Sequence, residues 1–482
     1  MNKPLRRLSI AILALFALLL ANANYVQVIN ASNLREKPGN SRTLMDSYAR
    51  ERGDIVAGEQ AIATSVRTDD AYKYRRIYKN GPMYAPATGF YGLYNATGIE
   101  RAENSMLSGE DDRLFVRRTI DLFQGRKPRG ATVQLTLRPR AQRAAYQALK
   151  GYQGAVIALD PKTGAILAMA TSPSYNPNKL TGHDTDEVNR VQKRLAKNDN
   201  APLVNRPLQG RYPPGSTFKL VTAAAALSSG KYSPDTMVPS PTQYQLPNTQ
   251  TPLNNFGGEI CGDGQQSSLE DALTISCNTA FAKLGVKLGD DAVRQQAERF
   301  GFGDSFEVPM PAEQSVFPED PDKAQTALSA VGQYEVAATP LQMAMVSSAI
   351  ANDGDLTEPH VVDEVRAQNL KTIESADPQS HGRAVSPEVA RQLTKMMESV
   401  VESGTGTSAQ MSGTKVAGKT GTAQHGTGQP PHAWFTGFAP ADNPQVAVAV
   451  VVEDGGSMGS EATGGQIAAP IARSVMQSVI NQ

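Results

Sequence analysis

The chain has 482 residues with 47 Lys+Arg against 47 Asp+Glu, so its formal net charge is zero and no global basic surface exists to hold a nucleic acid. With 40% apolar residues, the length allows about three domains and at least one large core, which excludes wholesale disorder. Only Cys261 and Cys277 are present, and five scattered histidines without a CxxC or HExxH pattern give a zinc site no sequence footing, so metal chemistry is not expected.

Lys3, Arg6 and Arg7 precede an apolar run from Leu8 to Ala21 broken only by Ser9, the pattern of an export segment with its positive flank kept inside. Fourteen residues make about 21 Å of helix, short of a hydrocarbon core of roughly 30 Å, and Ala21-Asn22-Ala23 has the small-x-small form of a cleavage site. Carried on to Val28, the same helix reaches about 31 Å and becomes a membrane anchor spanning residues 1–28. Both readings put the remainder on the outer side of the membrane.

Residues 29–151 are polar and rich in Arg, Tyr and Gly, with short strands expected at Ala61–Thr68 and Thr132–Leu137 and turns at clusters such as Asn80-Gly81-Pro82. This reads as a β-rich, non-catalytic module. From residue 152 the character changes. Two apolar runs, Ala155–Leu159 and Ala165–Ala170, flank Asp160-Pro161-Lys162-Thr163-Gly164 and predict a hairpin buried on both faces. Helices are expected at Ser216–Leu227, Leu269–Ile275, Ala292–Phe300, Pro340–Ala351 and Pro387–Val401. A matching strand at Val446–Val452 precedes a helix over Gln466–Val479, whose Ile467, Ile471, Val475 and Val479 form one stripe. Strands so far apart in sequence imply an α/β domain, residues 152–482, whose sheet is closed by both ends of the segment.

Three short motifs carry chemistry. In Tyr212-Pro213-Pro214-Gly215-Ser216-Thr217-Phe218-Lys219, prolines lead into a helix, so Ser216 falls in the first turn, where free N–H groups favour a developing oxyanion. Lys219 lies one turn on, in reach as a base if burial and neighbouring cations lower its pKa by about three units from its reference value. Ser-x-x-Lys arises about twice by chance in a chain this long; Ser228–Lys231 and Ser412–Lys415 also match, but Gly230 and Gly413 interrupt their helical geometry. Ser276-Cys277-Asn278 is a second motif, with a weaker copy at Ser174-Tyr175-Asn176 in an exit loop. Lys419-Thr420-Gly421-Thr422, beside a strand at His432–Phe438, offers a cation and two hydroxyls to a carboxylate. Its copy at Lys162-Thr163-Gly164 is absorbed by the hairpin turn.

Taken in order, Ser216…Lys219, Ser276…Asn278 and Lys419…Thr422 resemble the three signatures of penicillin-recognising serine enzymes. The flanking Arg52-Gly53-Asp54-Ile55, Gly98-Ile99-Glu100, Asp160–Gly164 and Thr339-Pro340-Leu341-Gln342-Met343-Ala344 narrow this to class B, monofunctional penicillin-binding proteins. Val331-Gly332-Gln333-Tyr334-Glu335 is similar to the actinobacterial penicillin-binding protein A group. The resemblance implies a transpeptidase domain with an antiparallel sheet, flanking helices and an all-helical lobe, acting on D-Ala-D-Ala stem peptides and acylated by β-lactams. It implies Ser216 as nucleophile, Lys219 as base, Ser276 as proton relay and Asn278 as the residue orienting Lys219. Lys419, Thr420, Gly421 and Thr422 would bind the substrate carboxylate. No cofactor is implied. A membrane glycan polymerase of the SEDS type and divisome proteins are the implied partners. The same acylation site would serve a D,D-carboxypeptidase or β-lactamase with water as acceptor, or an idle β-lactam sensor; sensors usually add further membrane segments, and no second apolar run of that length occurs here.

Two cysteines in an exported chain suggest a pair, so Cys261 and Cys277 are expected to bond and pin the Ser276–Asn278 turn, two separate buried thiols being the alternative.

Overall fold

The computed structural model describes residues 3–30, 45, 48–114, 129–426 and 428–481. An exposed apolar helix, Lys3–Asn24, continues into one π turn at Tyr25–Ile29. The stretch Lys3–Gln27 is long and apolar enough to cross a membrane.

The core of the C-terminal region is a five-stranded antiparallel sheet in the order Ala417–Ala423, His432–Ala439, Val446–Val452, Gly154–Leu159, Ile166–Ser172. The expected hairpin is present, and every residue of Gly154–Leu159 and Val446–Val452 is buried. Helices cover both faces, which is why these strands are continuously apolar rather than alternating. Pro340–Ala351 lies on one face; Pro139–Ala148 and Ala468–Ile480 lie on the other. A helical lobe of Lys219–Ser228, Leu269–Thr274, Asn278–Leu288, Asp290–Arg299 and Pro387–Glu402 closes over the edge strand Ala417–Ala423.

The N-terminal module is built on a six-stranded sheet that takes strands from two distant parts of the chain. Gln60–Arg67 and Thr132–Leu135 are strands as expected, joined by Ile55–Ala57 and Tyr74–Tyr78. The remaining two, Val362–Arg366 and Thr372–Ser375, come from far along the chain and pair beside Thr132–Leu135. Helix Pro139–Ala148, counted by sequence with the N-terminal module, buries Ala141, Ala145 and Leu149 against the C-terminal sheet. That helix therefore packs with the C-terminal sheet, while residues 362–375 pair into the sheet of the first module. Asn80-Gly81-Pro82 is not a free turn: Asn80 takes a left-handed conformation at φ 52° and Pro82 sits in the first turn of helix Gly81–Thr88, where its missing N–H costs nothing.

The residues marked at Arg52 and Glu100 meet in this module. Glu100 is fully buried, with its carboxylate accepting from Arg52 Nε at 2.6 Å, Arg76 Nε at 2.5 Å and Tyr78 O–H at 3.0 Å. Burial pushes its carboxyl up, and Arg76 and Arg52 outweigh that and hold it below the usual range.

Candidate active site

Ser216 occupies the short 3-10 turn Gly215–Phe218, and the α-helix begins only at Lys219. The expected start of the helix at Ser216 is therefore a tighter turn. Two glycines bring this turn against the edge strand. Gly215 has φ +52°, and a Cβ there would stand 3.0 Å from Thr422 O; a Cβ on Gly421 would stand 2.9 Å from Pro214 O. Trp434 Nε1 donates to Pro213 O at 3.0 Å from the neighbouring strand. Ser216, partly exposed, thus sits in a turn packed against the Lys419–Thr422 strand.

Lys219 is fully buried. Its Nζ lies 2.7 Å from Ser276 O, 2.7 Å from Asn278 Oδ1 and 3.3 Å from Ser276 Oγ. Ser276 O is aimed there because Ser276 holds φ +63°, a conformation few non-glycine residues adopt and one that recurs at functional sites. Lys419, also fully buried, donates to Ser276 Oγ at 2.9 Å and to Thr420 O at 3.0 Å. One hydroxyl, Ser276 Oγ, therefore lies between two lysines. Burial first, and the Lys419 charge second, push Lys219 well below an ordinary lysine; burial alone pushes Lys419 down to about 7. Two of the acceptors around Lys219 are carbonyl oxygens, which cannot donate. A neutral amine has two N–H groups for them and one lone pair left for a hydroxyl proton.

Thr420 and Thr422, two apart in a strand, share a face. Thr420 Oγ1 pairs with Thr405 Oγ1 at 2.5 Å, a partner no motif pointed to. One hydroxyl of that pair donates to the other, so a proton remains to offer a carboxylate.

A disulfide joins Cys261 to Cys277, with Cα atoms 6.1 Å apart. The other motif copies lie elsewhere: Lys162-Thr163-Gly164 is a turn whose first N–H groups Asp160 accepts, Asn176 caps the 3-10 turn Pro177–Lys179, and Lys415 pairs with Glu398 on the surface. The histidines are less scattered than the sequence implies. His425, His432 and Asp454 place ligand atoms within 4.8 Å of one another. Their imidazoles, however, stack at 3.8 Å and 5°, so the in-plane lone pairs run parallel, and His432 Nδ1 already accepts Asp454 N–H at 3.2 Å.

A buried lysine pair around a serine, on the edge of a five-stranded sheet beneath a helical lobe, defines a serine acyl-transferase of the penicillin-recognising class. Residues 154–477 match the penicillin-binding protein transpeptidase domain and residues 52–133 the penicillin-binding protein A dimerisation domain. The chain belongs to the penicillin-binding protein transpeptidase family, in its class B branch, and is a peptidoglycan D,D-transpeptidase. It is 45% identical to the peptidoglycan D,D-transpeptidase PbpA of Mycolicibacterium smegmatis over 100% of both chains, and 45% identical to that of Mycobacterium tuberculosis over 100% of this chain and 99% of the other. The ceftriaxone acyl-enzyme complex of penicillin-binding protein A from M. tuberculosis superposes with a TM-score of 0.88 at 42% identity, covering 90% of this chain and all of that one. The penicillin G acyl-enzyme complex gives 0.86 at 43% identity, over 89% of this chain and all of that one.

Proposed function

We propose that Ser216 is the nucleophile of this transpeptidase and neutral Lys219 its base. Ser216 Oγ attacks the carbonyl carbon between the two terminal D-alanines of a stem peptide while its proton passes to Lys219 Nζ. The Ser216 and Thr422 N–H groups hold the oxyanion, at about 3 kcal/mol per donor by analogy with other acyl-transfer sites. The proton travels through Ser276 Oγ to the leaving nitrogen, the C–N bond breaks, D-alanine departs and an ester remains on Ser216. An amine of a neighbouring stem then attacks the ester, gives up a proton by the reverse route and leaves as the cross-linked product. Asn278 orients Lys219; Lys419 supplies positive field, and Thr420, Gly421 and Thr422 seat the terminal carboxylate. A β-lactam enters by the same first step and stays as the ester.

The observation that carries this reading is the coordination of Lys219 by two carbonyl oxygens in a site without a counter-charge among its named neighbours. The test pairs β-lactam acylation with cross-linking of a synthetic pentapeptide donor to an amine acceptor. Acylation with cross-linked product is expected. Acylation with hydrolysed donor alone would make the protein a carboxypeptidase or β-lactamase, and acylation without turnover a sensor.

The Lys3–Gln27 helix serves in this reading as a single-pass anchor, about 37 Å long, with Lys3, Arg6 and Arg7 on the cytoplasmic side and the catalytic domain outside. A SEDS-type glycan polymerase and divisome proteins as partners rest on the family resemblance alone. Residues 29–151 serve as the pedestal that sets the height of the catalytic domain.

A further inference from the structure

The helix Asn278–Leu288 begins inside the second motif, and its capping is unusual. The residue at its N-cap is Cys277, whose sulfur is committed to the disulfide and which makes no side-chain cap. The first N–H groups of a helix need an acceptor, and Ser, Thr, Asp or Asn at the N-cap ordinarily supplies it. Here it comes from a residue 22 and more positions earlier. Asn255 Oδ1 accepts from Asn278 N at 2.9 Å and from Thr279 N at 3.1 Å. Asn255 is itself buried and fixed, its Nδ2 donating to Glu259 O at 3.0 Å. Its neighbour Asn254 ends the Gln243–Asn254 hairpin and accepts Asn278 Nδ2 at 3.2 Å through its carbonyl. That bond decides the orientation of the Asn278 amide: with Nδ2 on Asn254 O, Oδ1 faces Lys219 Nζ.

We propose that Asn255, with the Asn254 carbonyl beside it, is a positioning residue for the acylation step: it fixes the start of the Asn278–Leu288 helix so that Asn278 Oδ1 and Ser276 O converge on Lys219, and it does so without bringing a charge. This rests on the reading of Lys219 as the base. An aspartate would cap the same two N–H groups and gain from the helix dipole. It would also place a carboxylate one residue from the group that holds Lys219. The groups facing Lys219 are Ser276, Asn278, the Phe281 ring at 5.7 Å and, from the edge strand, Lys419. Lys283, on the same helix, is turned outward onto the Tyr244 ring of the hairpin at 5.3 Å. No anion is among them, so a new one at residue 255 would favour protonated Lys219. At an effective dielectric constant near 20, unlike charges within about 10 Å of each other attract by roughly one pH unit or more.

The experiment measures the rate of acylation by a fluorescent penicillin from pH 5.5 to 9, with melting temperature, in the full chain and in N255D and N255L, with Ser216→Ala as control. N255D keeps both caps but loses the donor to Glu259 O, so it should stay folded with a melting temperature below the parent's, while the acid limb of its profile moves up by about one unit or more. N255L should lose at least tenfold in rate at every pH on the folded protein. A parental pH profile in N255D, or a parental rate in N255L, would overturn the positioning role. Undiminished labelling of Ser216→Ala would instead remove the acyl-enzyme reading, so the two failures are separable.

Discussion

The molecule buries charge in two places and in two opposite ways. In the N-terminal module Glu100 sits between Arg52 and Arg76, its carboxylate satisfied by three donors, and the Arg52 guanidinium also lies 4.1 Å over the Tyr91 ring. In the catalytic domain Lys219 and Lys419 are both fully buried beside one hydroxyl, and the atoms they bond are neutral oxygens. The first arrangement holds the Glu100 carboxyl below its usual range and links three segments of chain into one unit. The second pushes Lys419 down to about 7 and Lys219 well below an ordinary lysine, which suits a base and destabilises a fold. Paired burial is structural; unpaired burial of like charges, in a cleft, is the mark of chemistry.

Breaking the catalytic side of this comparison should give the largest effect. Lys219→Arg keeps the charge but installs a group that cannot release its proton in the working range, so acylation should fall by about 10²–10⁴-fold. Rates of fluorescent penicillin labelling measure this, and near-parental labelling would make Lys219 a structural cation. On the structural side, Glu100→Gln leaves two buried guanidiniums without their shared anion and should cost about 3–5 kcal/mol in denaturant unfolding. Below its melting point the variant should still acylate with the parental pH profile. A profile that moved with Glu100→Gln would mean that the two clusters are coupled.

Two smaller effects sharpen the contrast. Cys261→Ser opens a loop of about fifteen residues and should cost about 3 kcal/mol, read from urea unfolding beside the reduced parent. The smallest is a slope. Lys419 is held at about 7 in the folded state against 10.5 unfolded, so between these values the unfolded chain carries a proton that the folded one does not. Stability from this group therefore rises with pH from about 7 and is fully present only above the unfolded value. Lys419→Met should remove about 1.4 kcal/mol per pH unit of that rise between pH 7.5 and 9. An unchanged slope would mean that Lys419 stays charged when buried.

The groups proposed for catalysis stand out in the sequence because each motif binds residue type to local geometry: Ser216 and Lys219 to a proline-led turn, Lys419–Thr422 to a glycine-bearing strand. The sheet was legible for a similar reason, since fully buried strands are uninterrupted in sequence. What escaped were groups whose role comes from distant chain. Asn255 and Thr405 lie in loops, and nothing local distinguishes them from other polar loop residues until Asn278 and Thr420 are placed beside them. Val362–Ser375 alternates as any exposed hairpin would, and its pairing with Thr132–Leu135 is decided by the tertiary fold. Helix Asn278–Leu288 was hidden because its cap is supplied from Asn255 and not by the residue before it. The buried Arg52–Glu100–Arg76 cluster shows as isolated charged residues until three segments converge.

The chemistry proposed for the uncompensated lysine pair is that it makes Ser216, and no other serine, acylable. It is tested most directly by treating the full chain with penicillin G, digesting it and locating the adduct by tandem mass spectrometry. A single stoichiometric ester on Ser216 is expected, with the peptide carrying Ser276 unmodified. An adduct on Ser276, or a Ser216 peptide recovered without one from labelled protein, would contradict it.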